Sequence, residues 1–353
     1  MIRFSEMVLP GHPDKFCDQV ADAIVAECYR ADPEAYCQIE VSCWGDEIWL
    51  TGGIVARKRL PRSPAEIAIA TGRAIGYVEG NAIVADRYRV NCSVCIEVSD
   101  PTHWTRHVND QCISIGWAGY DTKVRYLPPE HFLAHTFREA LTSSFRTGRL
   151  EGQGPDGKLL VRLRESSDEW SVEHVLVTLQ HLDSTPLGEV CEAVEKELAS
   201  CYRATQRADH RWNIDWNDIE LLVNPNGPLI NGGSNGDNGQ TGRKLAVDYY
   251  GPRVPIGGGA LSGKDLTHID RAAAYSARRA AVHAVATGAG ECRVTLCWAP
   301  NVSEPLDVVY EMKERGERWP AASFAHGNSA VREAHPLVTG DLGRGTHFYD
   351  ERL

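Results

Sequence analysis

The chain has 353 residues, too many for one compact core and suited to two or three domains. It is 42% hydrophobic and 24% charged, the balance of a soluble globular protein. The formal net charge of -11 argues against non-specific binding to nucleic acid or to an anionic membrane, and no apolar run approaches the ~20 residues that span a bilayer.

The N-terminal "MIRFSEMVLPGHPDK" lacks the apolar stretch of a secretory signal. Residues 14–30 predict an amphipathic helix, with Phe16, Cys17, Val20, Ile24 and Cys28 at helical spacing. Pro13 suits the first helical position, so His12 and Asp14 flank the helix start. "YCQIEVSCWGDEIWLTGGIV" predicts a hairpin around Gly45-Asp46. A helix, "SPAEIAIATGRAIGYV", and a strand, "RVNCSVCIEV", follow. The polar stretch from Ser99 to Asp110 reads as a mobile loop. "PEHFLAHTFREALTSSFRTG" is helical, "GPDGK" is a turn, and "KLLVRLRE" with "HVLVTLQHL" form paired strands. "LGEVCEAVEKELASCYR" is another helix. A glycine-rich stretch then leads to the helix "THIDRAAAYSARRAAVHAVATG", opened by a Thr267–Asp270 capping box and closed near Gly288. "ECRVTLCWAP" and "PLDVVYEM" are strands. This order predicts an α+β protein of three similar units, each a mixed sheet with helices on one face, over 1–100, 101–205 and 206–353.

The 11 cysteines are odd in number and form no regular framework, so reduced thiols in a cytoplasmic protein are expected. Cys92 and Cys95 form the one C-x-x-C. It lies in a strand-like run, and core cysteines are a better reading than zinc ligands.

Two basic glycine-rich elements carry the chemistry. The first is "GDNGQTGRK", Gly236 to Lys244. The second is "GGGALSGKD", Gly257 to Asp265, which fits a phosphate loop until Asp265 stands where Ser or Thr would hold Mg²⁺. Glycines let backbone N–H groups approach an anion, and Arg243, Lys244 and Lys264 supply charge. Plain turns with solvated bases are the alternative for either loop alone. Asp14, Asp237 and Asp270 are candidate Mg²⁺ ligands. Asp14 and Asp270 also suit first helical turns, where a carboxylate merely offsets the helix dipole.

"GHPDK" (11–15), "NDQC" (109–112), "GPDGK" (154–158), "GDNGQTGRK" (236–244) and "GGGALSGKDLTHIDRAAAYSAR" (257–278) occur in the order found in S-adenosylmethionine synthetases. The resemblance runs from about Glu6 to Ala299. It implies that "GGGALSGKD" resembles the family's polyphosphate loop, and that an acceptor attacks C5′ of ATP and expels triphosphate, which is then hydrolysed to diphosphate and phosphate. It implies that His12, Lys15, Lys158, Arg243, Lys244 and Lys264 handle the leaving group. Asp110, Asp156 and Ala260 match further nucleotide positions, and Asp237 a position near both nucleotide and amino acid. Asp14 and Asp270 match carboxylates for two Mg²⁺ ions, and Glu40 a ligand of K⁺. It implies a homodimer, with active sites at the interface and dimers perhaps paired into tetramers, acting on ATP and a small acceptor, with no nucleic acid and no membrane partner.

The departures cluster. Ile54 stands where the family carries a methionine-holding Glu, and Ser99–Asp110 is shorter than its gating loop. His268 replaces a Lys beside the amino-acid carboxylate, and Pro228-Leu229 an Arg-Phe pair at the adenine. This predicts a re-shaped acceptor pocket involving Ile54, Asp237 and His268. A polyphosphatase, or a nucleotide-binding subunit without transfer, is the competing expectation.

Overall fold

The computed structural model describes residues 1–167, 169–313, 325–327, 343, 345 and 347–349. In chain order the elements are β1 (Ile2–Val8), α1 (Pro13–Ala31), β2 (Tyr36–Trp44), β3 (Glu47–Ala56), α2 (Pro64–Ile75), β4 (Arg89–Val98), α3 (Thr102–Thr105), β5 (Cys112–Gly119) and α4 (Pro129–Thr147). Then come β6 (Gln153–Glu165), β7 (Trp170–His181), α5 (Leu187–Ala208), β8 (Glu220–Val223), β9 (Gly239–Gln240), α6 (Leu245–Asp248), α7 (Ile269–Ala286), β10 (Glu291–Trp298) and β11 (Asp307–Lys313).

These strands make three sheets, ordered β4-β3-β2-β9, β1-β6-β7-β8 and β11-β10-β5. The first two are mixed, because β3 with β4 and β7 with β8 run parallel; the third is antiparallel throughout. α1 packs on β2 with α2 beside it, α4 lies on β1 and β6 with α5 beside it, and α7 lies on β5 and β10. The α+β architecture therefore holds. The chain interlaces: β1 joins the sheet of β6, β9 the sheet of β2, and β5 the sheet of β10.

Each sheet has its own core. Under the first, Phe16, Val20 and Ile24 of α1 meet Ile39, Val41, Leu50 and Ile54, all at most 1% exposed. Each such side chain contributes about 1.5–3 kcal/mol by leaving water.

Several sequence expectations need correction. "GPDGK" is not a turn but the start of β6, where the register with β7 shifts between Gln153 and Gly157. Its glycines permit close approach: a Cβ on Gly157 would lie 2.8 Å from Leu9 and 2.9 Å from the Thr178 carbonyl. α7 has no Thr267 capping box; its N-cap is His268, while the Thr267 hydroxyl donates to Asp265 at 2.6 Å. Ser99–Asp110 contains α3, and Val108 is buried in the third core. Cys92 and Cys95 are exposed rather than core, because β4 is an edge strand. β1 and β5 went unread as strands, since neither is flanked by a turn signal.

Candidate functional site

Both glycine-rich segments dock on the same edge of β2. Gly239 and Gln240 pair with Cys43 and Ser42, and the Thr241 N–H donates to the Val41 carbonyl at 2.9 Å. Further along, the Ile39 N–H donates to the Gly263 carbonyl and the Asp265 N–H to the Cys37 carbonyl, both at 2.8 Å. Gly263 has φ +80, and a Cβ there would stand 2.2 Å from the Ile39 carbonyl, so only glycine fits. Asp265 is a staple: its carboxylate accepts from the Cys37 N–H at 3.1 Å and the Thr267 N–H at 2.7 Å.

Helix α1 holds the same segments from the other side. Asp14, Asp18 and Asp22 recur every four residues and so share a face. Asp14 accepts from the Gln240 N–H at 2.9 Å, Asp18 from the Gly242 N–H at 2.9 Å and Asp22 from the Gly263 N–H at 3.0 Å. All three carboxylates are buried. Asp22 also pairs with Arg271 of α7 at 2.7 Å.

Two clusters result. In the first, Asp14 meets Lys244 at 2.6 Å and Arg243 at 3.4 Å, while His12 caps α1 by accepting the Asp14 N–H on Nδ1 at 3.2 Å. His12 is pushed down to about 3, by burial first and then by Lys244, so it is neutral. Beside it opens a cleft of about 330 Å³ lined by His12, Asp156, Lys158, Leu229 and Asp237 among others, within the ~300–1,000 Å³ of small-molecule sites. Asp156 accepts from the Gly233 N–H at 2.7 Å, and burial pushes it up to about 6.

The second cluster repeats the first in form. His268 caps α7 by accepting the Asp270 N–H on Nδ1 at 3.3 Å, and Lys264 meets Asp270 at 2.6 Å. Burial raises the Asp270 carboxyl, but Lys264 outweighs it and holds the group below its usual range. Burial and then Lys264 lower His268. Asp110, His268 and Asp270 bring one ligand atom each within 4.8 Å of one another. Glu40, on the sheet face away from α1, is raised by burial and opposed by the charge of Lys264. Ala260 lies against Gly242, between the clusters. Among the described residues no hydrogen bond or ion pair joins the two clusters directly; α1 links them.

Two expected site residues stand elsewhere. Lys15 is wholly buried between Asp18 and Asp248, on the far side of α1 from the cleft. Ile54 pairs with Cys37 and faces the core, on the opposite side of the sheet from Glu40. The residues missed were Asp18, Asp22, Asp265 and Arg271. The four-residue carboxylate spacing on a helix opened by "GHPDK" was the available signal for the first two. A second cavity, about 430 Å³, is lined by Arg3, Trp117, Arg253, Arg293 and Lys313. It holds none of these site residues, and its cations are ion-paired to Glu165, Glu130, Glu311 and Glu291.

An acidic chain that gathers its cations on glycine-rich loops, with carboxylates beneath them, has the equipment of an enzyme acting on a polyphosphate. The comparisons give the family. Three S-adenosylmethionine synthetase domains match: the N-terminal domain over residues 1–100, the central domain over 105–229 and the C-terminal domain over 231–327. The S-adenosylmethionine synthase of Rhodospirillum centenum is 32% identical over 322 residues, 89% of this chain and 81% of that protein. Those of Sulfurovum sp. (33%; 86% and 79%) and Rhodopseudomonas palustris (synthase 1, 34%; 85% and 78%) are similar. The chain belongs to the S-adenosylmethionine synthetase family, a family of adenosyl-transferring enzymes.

Proposed function

We propose that this protein transfers the adenosyl group of ATP to methionine, releasing triphosphate that it hydrolyses to diphosphate and phosphate. The acceptor attacks C5′ in line, and the C5′–O electron pair departs with the triphosphate. A thioether carries no proton, so methionine needs no general base. The difficulty is a leaving group of roughly four negative charges, which calls for preorganised cations. The observation that supports this best is the matched pair of helix starts, His12-x-Asp14 and His268-x-Asp270, each with a lysine 2.6 Å from its carboxylate.

In this reading Lys158, Arg243, Lys244 and Lys264 take the phosphates. His12 is neutral with Nδ1 already accepting, so its Nε2–H donates to a phosphoryl oxygen. Asp156 fixes the Gly233 backbone beside the cleft, and Asp110, Asp237 and Ala260 border the nucleotide. The oxygen donors of Asp14 and Asp270 fit Mg²⁺, and a half-buried Glu40 fits K⁺. Bound metal neutralises phosphoryl charge. Asp14 already has both oxygens engaged, so Lys244 must yield to an ion there.

Trp44 and Trp49 stand 57% and 41% exposed on the uncovered face of the first sheet, which suits coverage by a second copy. The eleven free thiols suit a reducing, cytoplasmic setting, and no described helix is long and apolar enough to cross a membrane.

A different acceptor is the second reading, supported by His268, a neutral imidazole at the expected acceptor end. Mass spectrometry of ATP incubations with a panel of amino acids and thioethers separates these. Adenosylated methionine is the expected product, and another adenosylated amino acid favours the second reading. Phosphate alone makes the protein a polyphosphatase, and no product at all sinks both.

A further inference from the structure

We infer that Asp110, His268 and Asp270 form a site for one borderline divalent ion of the Mn²⁺ or Co²⁺ kind, which they bind in preference to Mg²⁺. Donor atoms about 2.0–2.2 Å from a metal stand at most about 4.4 Å apart. Here the three lie within 4.8 Å of one another, so a closure of a few tenths of an ångström completes the set. Two elements carry them: Asp110 immediately precedes β5, and His268 and Asp270 open α7, which packs on β5. Three protein donors leave positions open, as in sites that also bind water or substrate.

The donor set decides the metal. Mg²⁺ takes oxygen and keeps its waters in a near-ideal octahedron. An imidazole nitrogen suits the later first-row ions, whose affinity for such donors rises along the series. His268 is 6% exposed, and its one hydrogen bond among the described residues is the 3.3 Å contact to the Asp270 N–H, too long to hold the ring against a metal. A second, independent feature points the same way. The Cys112 thiol, 7% exposed, donates to the Asp270 carboxylate and so orients it as an outer partner orients a metal ligand. Lys264 now neutralises Asp270 at 2.6 Å; a divalent ion takes over that role and frees the ammonium for an anion.

This deepens the reading that Asp270 holds a metal, and it is tested without turnover. Full-length protein stripped with chelator, and free of nucleotide, is titrated with Mn²⁺ while electron paramagnetic resonance follows the free ion; Mg²⁺ then competes. A parallel Co²⁺ titration is followed by absorption. The wild type should bind Mn²⁺ more tightly than Mg²⁺. His268→Asn keeps a good helix-capping acceptor yet should lose about 10–100-fold in Mn²⁺ affinity, with Mg²⁺ affinity little changed and altered Co²⁺ bands. Asp110→Asn, exposed and away from the cap, should weaken Mn²⁺ as well, which keeps the test valid if the His268 variant fails to fold. Equal losses for Mn²⁺ and Mg²⁺ in His268→Asn, or unchanged Mn²⁺ binding in either variant, overturn the proposal. Absence of adenosyl transfer in a protein that binds Mn²⁺ through His268 overturns the proposed function and leaves this site standing.

Discussion

Lys15 Nζ lies 2.6 Å from Asp18 Oδ2, and neither side chain touches solvent. Asp248 holds the same ammonium from the other side. Lys15 is therefore an internal counter-ion that keeps two carboxylates compatible with burial beneath the Gly242 loop. Lys15→Met leaves both uncompensated and should cost about 3–5 kcal/mol of stability. Thermal unfolding checks this. A folded variant of wild-type stability with a selective loss of kcat would return Lys15 to the catalytic cations.

Asp18 gives a pH signature. Burial pushes its carboxyl up to about 7, against the pull of Lys15. In the unfolded chain it ionises near ~3.9. Between those values the folded state keeps a proton that the unfolded state has lost. This group's contribution therefore falls as pH rises from about 4 to about 7 and is level above. The stability difference between wild type and Asp18→Asn should shrink across that window, measured by denaturant titration at several pH values. A constant difference means that Asp18 is ionised throughout.

Lys264 sits on the loop pinned by Asp22 and β2, and its only described ion pair is with Asp270. Charge on the bridging oxygen grows in the transition state, so Lys264→Ala should lower kcat far more than it raises KM for ATP. Steady-state kinetics with varied ATP decide it. A change confined to KM makes Lys264 a binding residue only.

The helices and hairpin were legible because periodicity and Pro or Gly punctuation act locally. Pro13 opens α1, and Gly45 turns the β2–β3 hairpin at φ +55. The two loops were legible as anion sites from composition alone. Their shared docking on β2 was not, because that depends on pairing between residues more than 200 apart, such as Val41 with Thr241. Nor could side be read. Adjacent helical residues differ by about 100° around the axis, so Asp14 faces the loops while Lys15, its neighbour in "GHPDK", faces inward.

The same question of side governs Ile54. Its position between two glycines and a run of apolar residues gave no sign of which face it takes. In the fold it pairs with Cys37, packs with the first core and is 1% exposed. It therefore presents no apolar wall to an acceptor's ammonium, and restoring a glutamate there does not restore a ligand. Ile54→Glu instead places a carboxyl among Cys37, Ile39 and the residues of α1. It should destabilise the protein by several kcal/mol, through lost apolar burial and an unpaired polar group, without improving methionine use. Thermal unfolding and methionine KM on the same preparation check both halves. A stable Ile54→Glu protein with a lowered methionine KM would show that β3 turns this position toward the acceptor after all.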